Sequence, residues 1–295
     1  MKKATLARLA ITAAVFYFMV GGICQSIQAQ SEIRFRLVHD TLVVVSLTAN
    51  GQGPFDFVLD TGADTTIVDP SLANTLSLVS TGSLQQTTLA STQTLTRSSI
   101  RSMAIGGGRV ENVPVLVEDL GGLRNMDGRI EGIAGQNFLA HFNYLLDYRK
   151  HSVRIEQADE IQQALDGDRV PMDRGDHRMI VASEAQSVGR AKLRLLLDSG
   201  ANTVVLLPAA SHALNLSAQE SGVETTSSGE VGLHVGRVHA LTVGSQQLHE
   251  IAVALASTAP AEQIGDGLLP TALFQSLYVN NREGFVVLNP HAKKN

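Results

Sequence analysis

The sequence predicts an all-β protein with few short helices, built from two homologous, barrel-like lobes. Three observations support this fold class. Runs of β-branched residues recur between the motifs, helical periodicity rarely lasts beyond two turns, and one unit of sequence occurs twice. With 295 residues, of which 44% are hydrophobic, the chain has enough material for a core in each copy.

The repeat is centred on two acidic turns that each follow an apolar strand. Residues 57–65 read FVLDTGADT and residues 195–203 read LLLDSGANT, so Asp60 and Asp198 lie 138 positions apart. Each copy begins with a strand and a glycine-containing turn, and each ends with a pair of apolar strands that reads as a hairpin. Two copies in one order predict two lobes of the same design.

The N-terminus has the order of features found in secretory signals. Basic residues up to Arg8 precede an apolar stretch that begins at Leu9, and small and polar residues follow up to Ala29. These features predict a signal peptide at residues 1–29 and an exported protein, periplasmic or secreted. The alternative is an uncleaved membrane anchor, although the 16 residues from Leu9 to Cys24 are fewer than the roughly 18 of a spanning helix.

The remaining chain divides at a polar stretch between the two copies. The expected units are an N-terminal lobe at 30–157, a connection at 158–177 and a C-terminal lobe at 178–295. Short helices are predicted at Pro70–Leu76 and Pro208–Leu214, because proline is favoured at the first helical position.

Composition excludes several kinds of site. The 23 basic and 28 acidic residues give a net charge of −5 with no long basic run, which argues against nucleic acid as a partner. Cys24 is the one cysteine, so neither an internal disulfide nor a cysteine-ligated metal is expected. No phosphate-binding loop or zinc motif occurs, and the sequence predicts neither a metal nor a cofactor.

The paired acidic turns resemble those of aspartic proteases of the pepsin and retropepsin superfamily, in the single-chain bacterial retropepsin-like form. The residues that carry the resemblance are the two Asp-Thr/Ser-Gly-Ala motifs, the turn at 51–55 and the segment Gly132-Ile133-Ala134-Gly135. The similarity covers about residues 34–290. It implies the acid protease fold, with the active site between the lobes.

The resemblance also implies roles for individual residues. Asp60 and Asp198 would be the catalytic pair. Thr61 and Ser199 would donate hydrogen bonds to the opposite turn, while Gly62 and Gly200 would offer backbone amides to the carboxylates.

Two further positions match the part of the motif that contacts substrate. Asp64 resembles the retropepsin position that receives substrate main-chain amides, and Asn202 stands at the equivalent place in the second copy. The alternative for Asp64 is an aspartate that closes its own turn.

The function implied is that of an exported aspartic endopeptidase, with a peptide or protein as its substrate. Water activated between Asp60 and Asp198 would hydrolyse the peptide bond without a metal or cofactor. The alternative is a catalytically silent two-lobed protein that binds peptides or acts as a scaffold. Association with a membrane is expected only if the N-terminal segment stays uncleaved.

Overall fold

The computed structural model of the chain describes residues 32–87, 92–173, 175, 178–216, 220–226, 229–259 and 265–293. The predicted signal peptide at 1–29 lies outside the described residues. Within those ranges, no helix combines the length and the hydropathy that crossing a bilayer requires.

The first copy of the repeat folds almost entirely into strands. The strands are β1 (Glu32–Arg34), β2 (Arg36–Val38), β3 (Leu42–Ala49), β4 (Gln52–Leu59), β5 (Thr66–Val68), β6 (Gly82–Thr87), β7 (Thr92–Ile105), β8 (Gly108–Val117), β9 (Ile130–Ala134), β10 (Tyr144–Asp147) and β11 (Ser152–Ile155). Short helices separate some of them: α1 (Pro70–Thr75), α2 (Gly121–Met126) and α3 (Gln136–Leu139).

The connection and the second copy follow the same pattern. The strands are β12 (Leu165–Asp166), β13 (Arg169–Asp173), β14 (Ile180–Gln186), β15 (Arg190–Asp198), β16 (Val204–Leu206), β17 (Glu220–Thr226), β18 (Gly229–Val243), β19 (Gln246–Leu255), β20 (Gly267–Pro270), β21 (Ser276–Asn280), β22 (Phe285–Leu288) and β23 (His291–Ala292). The helices are α4 (Glu160–Ala164), α5 (Pro208–Ala213) and a 3-10 turn at Thr271–Leu273. The all-β prediction with few short helices is confirmed.

Both helices predicted from proline are present, as α1 and α5. Pro70 is the first residue of α1, where its missing amide hydrogen costs nothing. The Asp69 side chain accepts a hydrogen bond from the Ser71 amide and caps that end.

The two lobes have matching topology around the acidic turns. Strand β4 pairs in parallel with β9, and β15 pairs in parallel with β20. Because parallel partners end at the same edge of a sheet, each acidic turn lies beside the end of a strand from later in its own copy. Asp198 is thereby opposite Pro270.

Strands from both copies combine into one sheet. Its first six strands are, in order, β1, β11, β10, β21, β22 and β13, and the sheet continues from β13 through β14 into the second lobe. Strand β10 meets β21 with Tyr144 opposite Val279. The residues of these closing hairpins are largely buried, and pairing with each other satisfies backbone edges that would otherwise be exposed. Residues 169–173 of the predicted connection form β13 in this sheet, and α4 begins the connection.

Candidate active site

The first acidic turn holds Asp60 directly after β4. The backbone amides of Gly62 and Ala63 donate to one Asp60 carboxylate oxygen at 2.8 and 3.0 Å. Strand β4 carries buried Phe57 and Leu59 into the lobe's core, so the strand anchors the turn on one side. Because the apolar strand that leads to Asp60 is packed in the core, the carboxylate is held in one orientation.

The second turn has the same construction at the end of β15. The amides of Gly200 and Ala201 donate to one Asp198 oxygen at 2.7 and 3.2 Å. Asp198 is 8% exposed, so it is nearly shielded from water. Each carboxylate therefore has a pair of amide donors from its own turn.

The two turns lie face to face, with each glycine against the opposite carboxyl group. A Cβ placed on Gly62 would lie 2.5 Å from the Asp198 carboxyl carbon, and one on Gly200 would lie 2.7 Å from an Asp60 oxygen. A real side chain cannot approach that closely without displacing the carboxylate. Glycine at both positions therefore allows the two carboxyl groups to meet.

Burial governs the proton affinity of the pair. Removal from water raises the pKa of Asp60, and the amide donors of its turn oppose that rise. Removal from water raises the pKa of Asp198 well above its ordinary value, and the adjacent charge of Asp60 adds to the rise. Two carboxyls so placed share one proton over a range of pH, and they titrate as a pair.

Thr61 and Ser199 connect the two turns through four buried hydrogen bonds. The Thr61 hydroxyl donates to the Leu197 carbonyl at 2.8 Å and accepts from the Ser199 amide at 2.9 Å. The Ser199 hydroxyl donates to the Leu59 carbonyl at 2.7 Å and accepts from the Thr61 amide at 3.0 Å. Each hydroxyl thus satisfies two backbone groups of the other lobe.

Thr61→Val keeps the shape of the side chain and removes its hydroxyl. The Leu197 carbonyl and the Ser199 amide lose their partner in a buried place, so we expect a loss of stability of about 2 to 4 kcal/mol. Chemical denaturation measures it. Thr41→Val is the matched control, since the Thr41 hydroxyl bonds to the His39 carbonyl at an exposed turn. Equal losses in both variants would contradict a buried interlobe connection.

The segment after β9 supports the first turn from behind. The Asp60 amide donates to the Ala134 carbonyl at 3.1 Å. Gln136 holds the turn at two points: its backbone amide donates to the Ala63 carbonyl at 2.7 Å and its side-chain amide to the Thr61 carbonyl at 3.2 Å. Sequence reasoning noted the Gly132–Gly135 segment but did not single out Gln136, which directly follows it.

The second turn has a different support. Pro270 stands where the first lobe has Gly135, and the next residue, Thr271, is fully buried. The Thr271 hydroxyl lies 2.6 Å from the Tyr148 hydroxyl, which comes from the first copy of the repeat. Nothing local in the sequence indicated that Tyr148 would reach this place.

The two predicted substrate-binding residues have different surroundings. Both oxygens of Asp64 accept hydrogen bonds from the guanidinium group of Arg178, with Nε at 2.9 Å and Nη2 at 2.6 Å. Asn202 is exposed at the equivalent place in the second lobe. The structure therefore places Asp64 in an ion pair that sequence reasoning had not considered.

No metal cluster is found in the described ranges, where no three His, Cys, Asp or Glu side chains are grouped as ligands.

Comparison with known families agrees with the duplicated architecture. A family model described as aspartyl protease matches residues 45–138 and again residues 184–272. The first match contains Asp60, the second contains Asp198, and together they cover more than half of the chain. No curated protein matches the chain significantly. By this repeated match the chain belongs to the aspartyl protease family, and its two lobes are of the retropepsin-like kind.

Proposed function

We propose that this protein is an exported aspartic endopeptidase whose active site lies between Asp60 and Asp198. One observation carries the proposal: the buried carboxyl of Asp198 and the half-buried carboxyl of Asp60, each held by amides of its own turn, face one another across two glycines. Membership of the family supports a hydrolase that acts on peptides. Export is proposed from the signal-like residues 1–29, and sequencing the N-terminus of the mature protein tests it.

The geometry suits general acid–base chemistry on a water molecule held by the pair. The charged carboxylate takes a proton from the water while the water oxygen forms a bond to the peptide carbonyl carbon. The protonated carboxyl donates a hydrogen bond to the carbonyl oxygen and then gives up its proton, which yields a tetrahedral diol. The carboxyl that took the water proton then gives it to the amide nitrogen, while the other carboxylate takes a proton from one diol hydroxyl. The carbon–nitrogen bond breaks, which releases an amine and a carboxylic acid and restores the starting state of the pair.

The surroundings of the two aspartates favour a starting state in which the pair carries a single negative charge. Burial raises the pKa of both members, and the adjacent charge of Asp60 adds to the rise at Asp198, so the pair starts with one shared proton. The roles exchange during turnover, so the pair acts as one unit.

We expect the mature protein to cleave a randomised peptide pool, with an optimum at mildly acidic pH. Below the lower apparent pKa of the pair both carboxyls are protonated, and no base remains to activate water. Because burial raises the pKa of both members, the charged base forms at a higher pH than in an exposed pair. Above the upper apparent pKa both carboxyls are charged, so no proton remains to be donated to the peptide carbonyl oxygen.

Sequencing of the products tests both activity and preference. We propose a weak preference for apolar residues beside the cleaved bond, because no aromatic residue lies between Phe57 and Phe138 to favour one side-chain shape. Charged residues on both sides of the cut would overturn that preference. If folded protein cleaves nothing from acidic to neutral pH, that result favours the catalytically silent peptide-binding or scaffold alternative.

A further inference from the structure

The segment that follows the strand beside Asp198 is held at two points by one residue of the first copy. Strand β20 ends at Pro270 opposite Asp198, and Thr271 begins the 3-10 turn that comes next. The Tyr148 hydroxyl lies 2.6 Å from the Thr271 hydroxyl, and the Tyr148 backbone amide donates to the Gln275 carbonyl at 3.0 Å. Tyr148 therefore spans the turn from its first residue to the residue two places beyond its end.

The Tyr148 side chain has a fixed place between these contacts. Its ring packs edge-on against the buried ring of Phe35, with the ring centroids 5.9 Å apart. Thr271 is fully buried, and burial of a hydroxyl is costly unless it is hydrogen-bonded. The contact between the two hydroxyls therefore restrains Thr271 relative to the first copy.

The proline at the end of β20 removes a restraint that the first lobe has. In the first lobe, the Gly135 amide donates to the Thr66 hydroxyl at 3.2 Å, which ties the supporting strand to β5. Pro270, at the equivalent position, has no amide hydrogen to donate. The bond between Thr271 and Tyr148 lies one residue further on, so it holds this segment where the first lobe uses a backbone donor.

The closing hairpin of the second copy makes a different contact in return. Tyr148 and Asn281 each directly follow the first strand of their hairpin. The Asn281 side-chain amide donates to the Phe142 carbonyl at 2.7 Å, three residues after the end of α3. Gln136, the counterpart of Thr271, begins α3 and donates to the first catalytic turn of its own copy. The two catalytic turns are therefore supported in different ways.

The Tyr148 phenol is also an electrostatic neighbour of Asp198. Burial raises the pKa of this phenol, the hydrogen bond with Thr271 lowers it, and the negative charge of Asp198 raises it further. The phenol therefore stays neutral at acidic and neutral pH. It acts there as a hydrogen-bonding group and a packed ring, not as an acid or a base.

We propose that Tyr148 is a positioning residue for the second catalytic turn, because its bond to Thr271 fixes the end of the strand that runs beside Asp198. The inference rests on the proposed function for its kinetic consequences. The first turn is supported by Gln136 of its own copy, whereas the second turn depends on a tyrosine of the other copy.

Removing either hydroxyl should slow turnover without weakening substrate binding. Tyr148→Phe and Thr271→Val nearly keep the size of the side chain, and we expect each to lower kcat about tenfold with KM within about twofold. Thr271→Ser retains the hydroxyl, so its kcat should stay within about twofold of that of the unmodified protein. Equal losses in Thr271→Ser and Thr271→Val would overturn the proposal, since volume and not the hydrogen bond would then matter.

The double variant tests whether the two residues act through one bond. Tyr148→Phe combined with Thr271→Val removes the same bond from both sides, so kcat should fall about tenfold, as in each single variant. A loss of about a hundredfold would show that the two hydroxyls act independently, which contradicts the proposal.

Tyr278→Phe is the matched control. Tyr278 is a buried residue of β21 in the same sheet, and its hydroxyl donates to Glu156 at 2.8 Å. The substitution removes a tyrosine hydrogen bond of that sheet without touching Thr271. It should lower the melting temperature and leave kcat and KM unchanged. An equal loss of kcat would show that any weakened contact in this sheet slows turnover, and the specific role of Tyr148 would be wrong.

The NMR spectrum of 13C-labelled tyrosine tests the contact without turnover. Tyr144, Tyr148 and Tyr278 are the tyrosines in the described ranges. At one fixed pH, Thr271→Val should shift the Cζ signal of Tyr148, because the phenol loses its hydrogen bond, and should leave the Tyr278 signal in place. An unchanged Tyr148 signal would overturn the contact. If the unmodified protein cleaves no peptide while this shift is observed, the proposed function fails and the contact stands.

Discussion

Replacing either aspartate of the pair with asparagine, in D60N or D198N, is expected to lower turnover at least about 10³-fold. In the proposed mechanism each carboxyl serves in turn as general base and general acid, and such groups contribute about 10²- to 10⁴-fold each. The asparagine side-chain oxygen can accept the same hydrogen bonds from the turn amides, but asparagine can neither take up nor release the proton. Single-turnover cleavage of one selected peptide measures the loss, and activity above about a tenth of normal would contradict the assignment.

Stability supplies the control, because D198N should fold and should be the more stable protein at neutral pH. The pKa of Asp198 is raised in the folded state, so folding carries no penalty below the ordinary pKa near 3.8. The penalty grows as the pH rises from there toward the folded pKa. Thermal melts at pH 4 and pH 7 should show a gain for D198N that is larger at pH 7. A loss at pH 7 would indicate that Asp198 is not desolvated.

Mixing the two inactive variants shows whether one chain makes one site. Both acidic turns lie in one polypeptide and face each other within it. We therefore expect no recovery of activity when D60N and D198N are combined. Substantial recovery would indicate a site shared between chains.

Gly62→Ala is expected to lower activity about 10²-fold, because its added methyl group contacts the opposite carboxyl. The added methyl group would lie 2.5 Å from the Asp198 carboxyl carbon, so either that carboxyl or the first turn must move. A displacement near 1 Å at reacting groups costs about 10²-fold in rate, and overpacking costs about 1 to 3 kcal/mol of stability. Peptide cleavage and chemical denaturation measure the two effects.

Gly128→Ala is the matched control for that substitution. Gly128 is exposed, and the closest atom to its added methyl group is the Arg124 carbonyl oxygen, at 3.9 Å. It should change neither activity nor stability. If Gly62→Ala behaves like this control, the two carboxyl groups do not meet across the glycines.

Features that depend on neighbours in sequence could be predicted before the structure was known. Pro70 predicted the start of α1, because a proline ring presets the backbone of a first helical residue. The two motifs around Asp60 and Asp198 predicted two lobes of one design, because a duplicated pattern of strands and turns folds twice. The place of each carboxylate at the end of an apolar strand followed from the same pattern.

Some tertiary features have only a partial sequence signal. The closing hairpins were visible as apolar pairs, yet nothing indicated that β10 would pair with β21 in a sheet shared by both copies. The polarity of residues 169–173 predicts part of the connection, yet they form β13, which pairs with β22 from the end of the chain and with β14 of the second lobe.

The sequence by itself determined the fold class, the duplication and the identity of the two facing aspartates. Only the tertiary structure decided the partners of the site. Arg178 is 114 residues from Asp64, and Tyr148 is 123 residues from Thr271. Hydrogen bonds and ion pairs of this kind carry no periodic signal, because they depend on where distant segments meet after the lobes have packed. Local chemistry therefore identified which residues could react, and packing selected the residues that hold them.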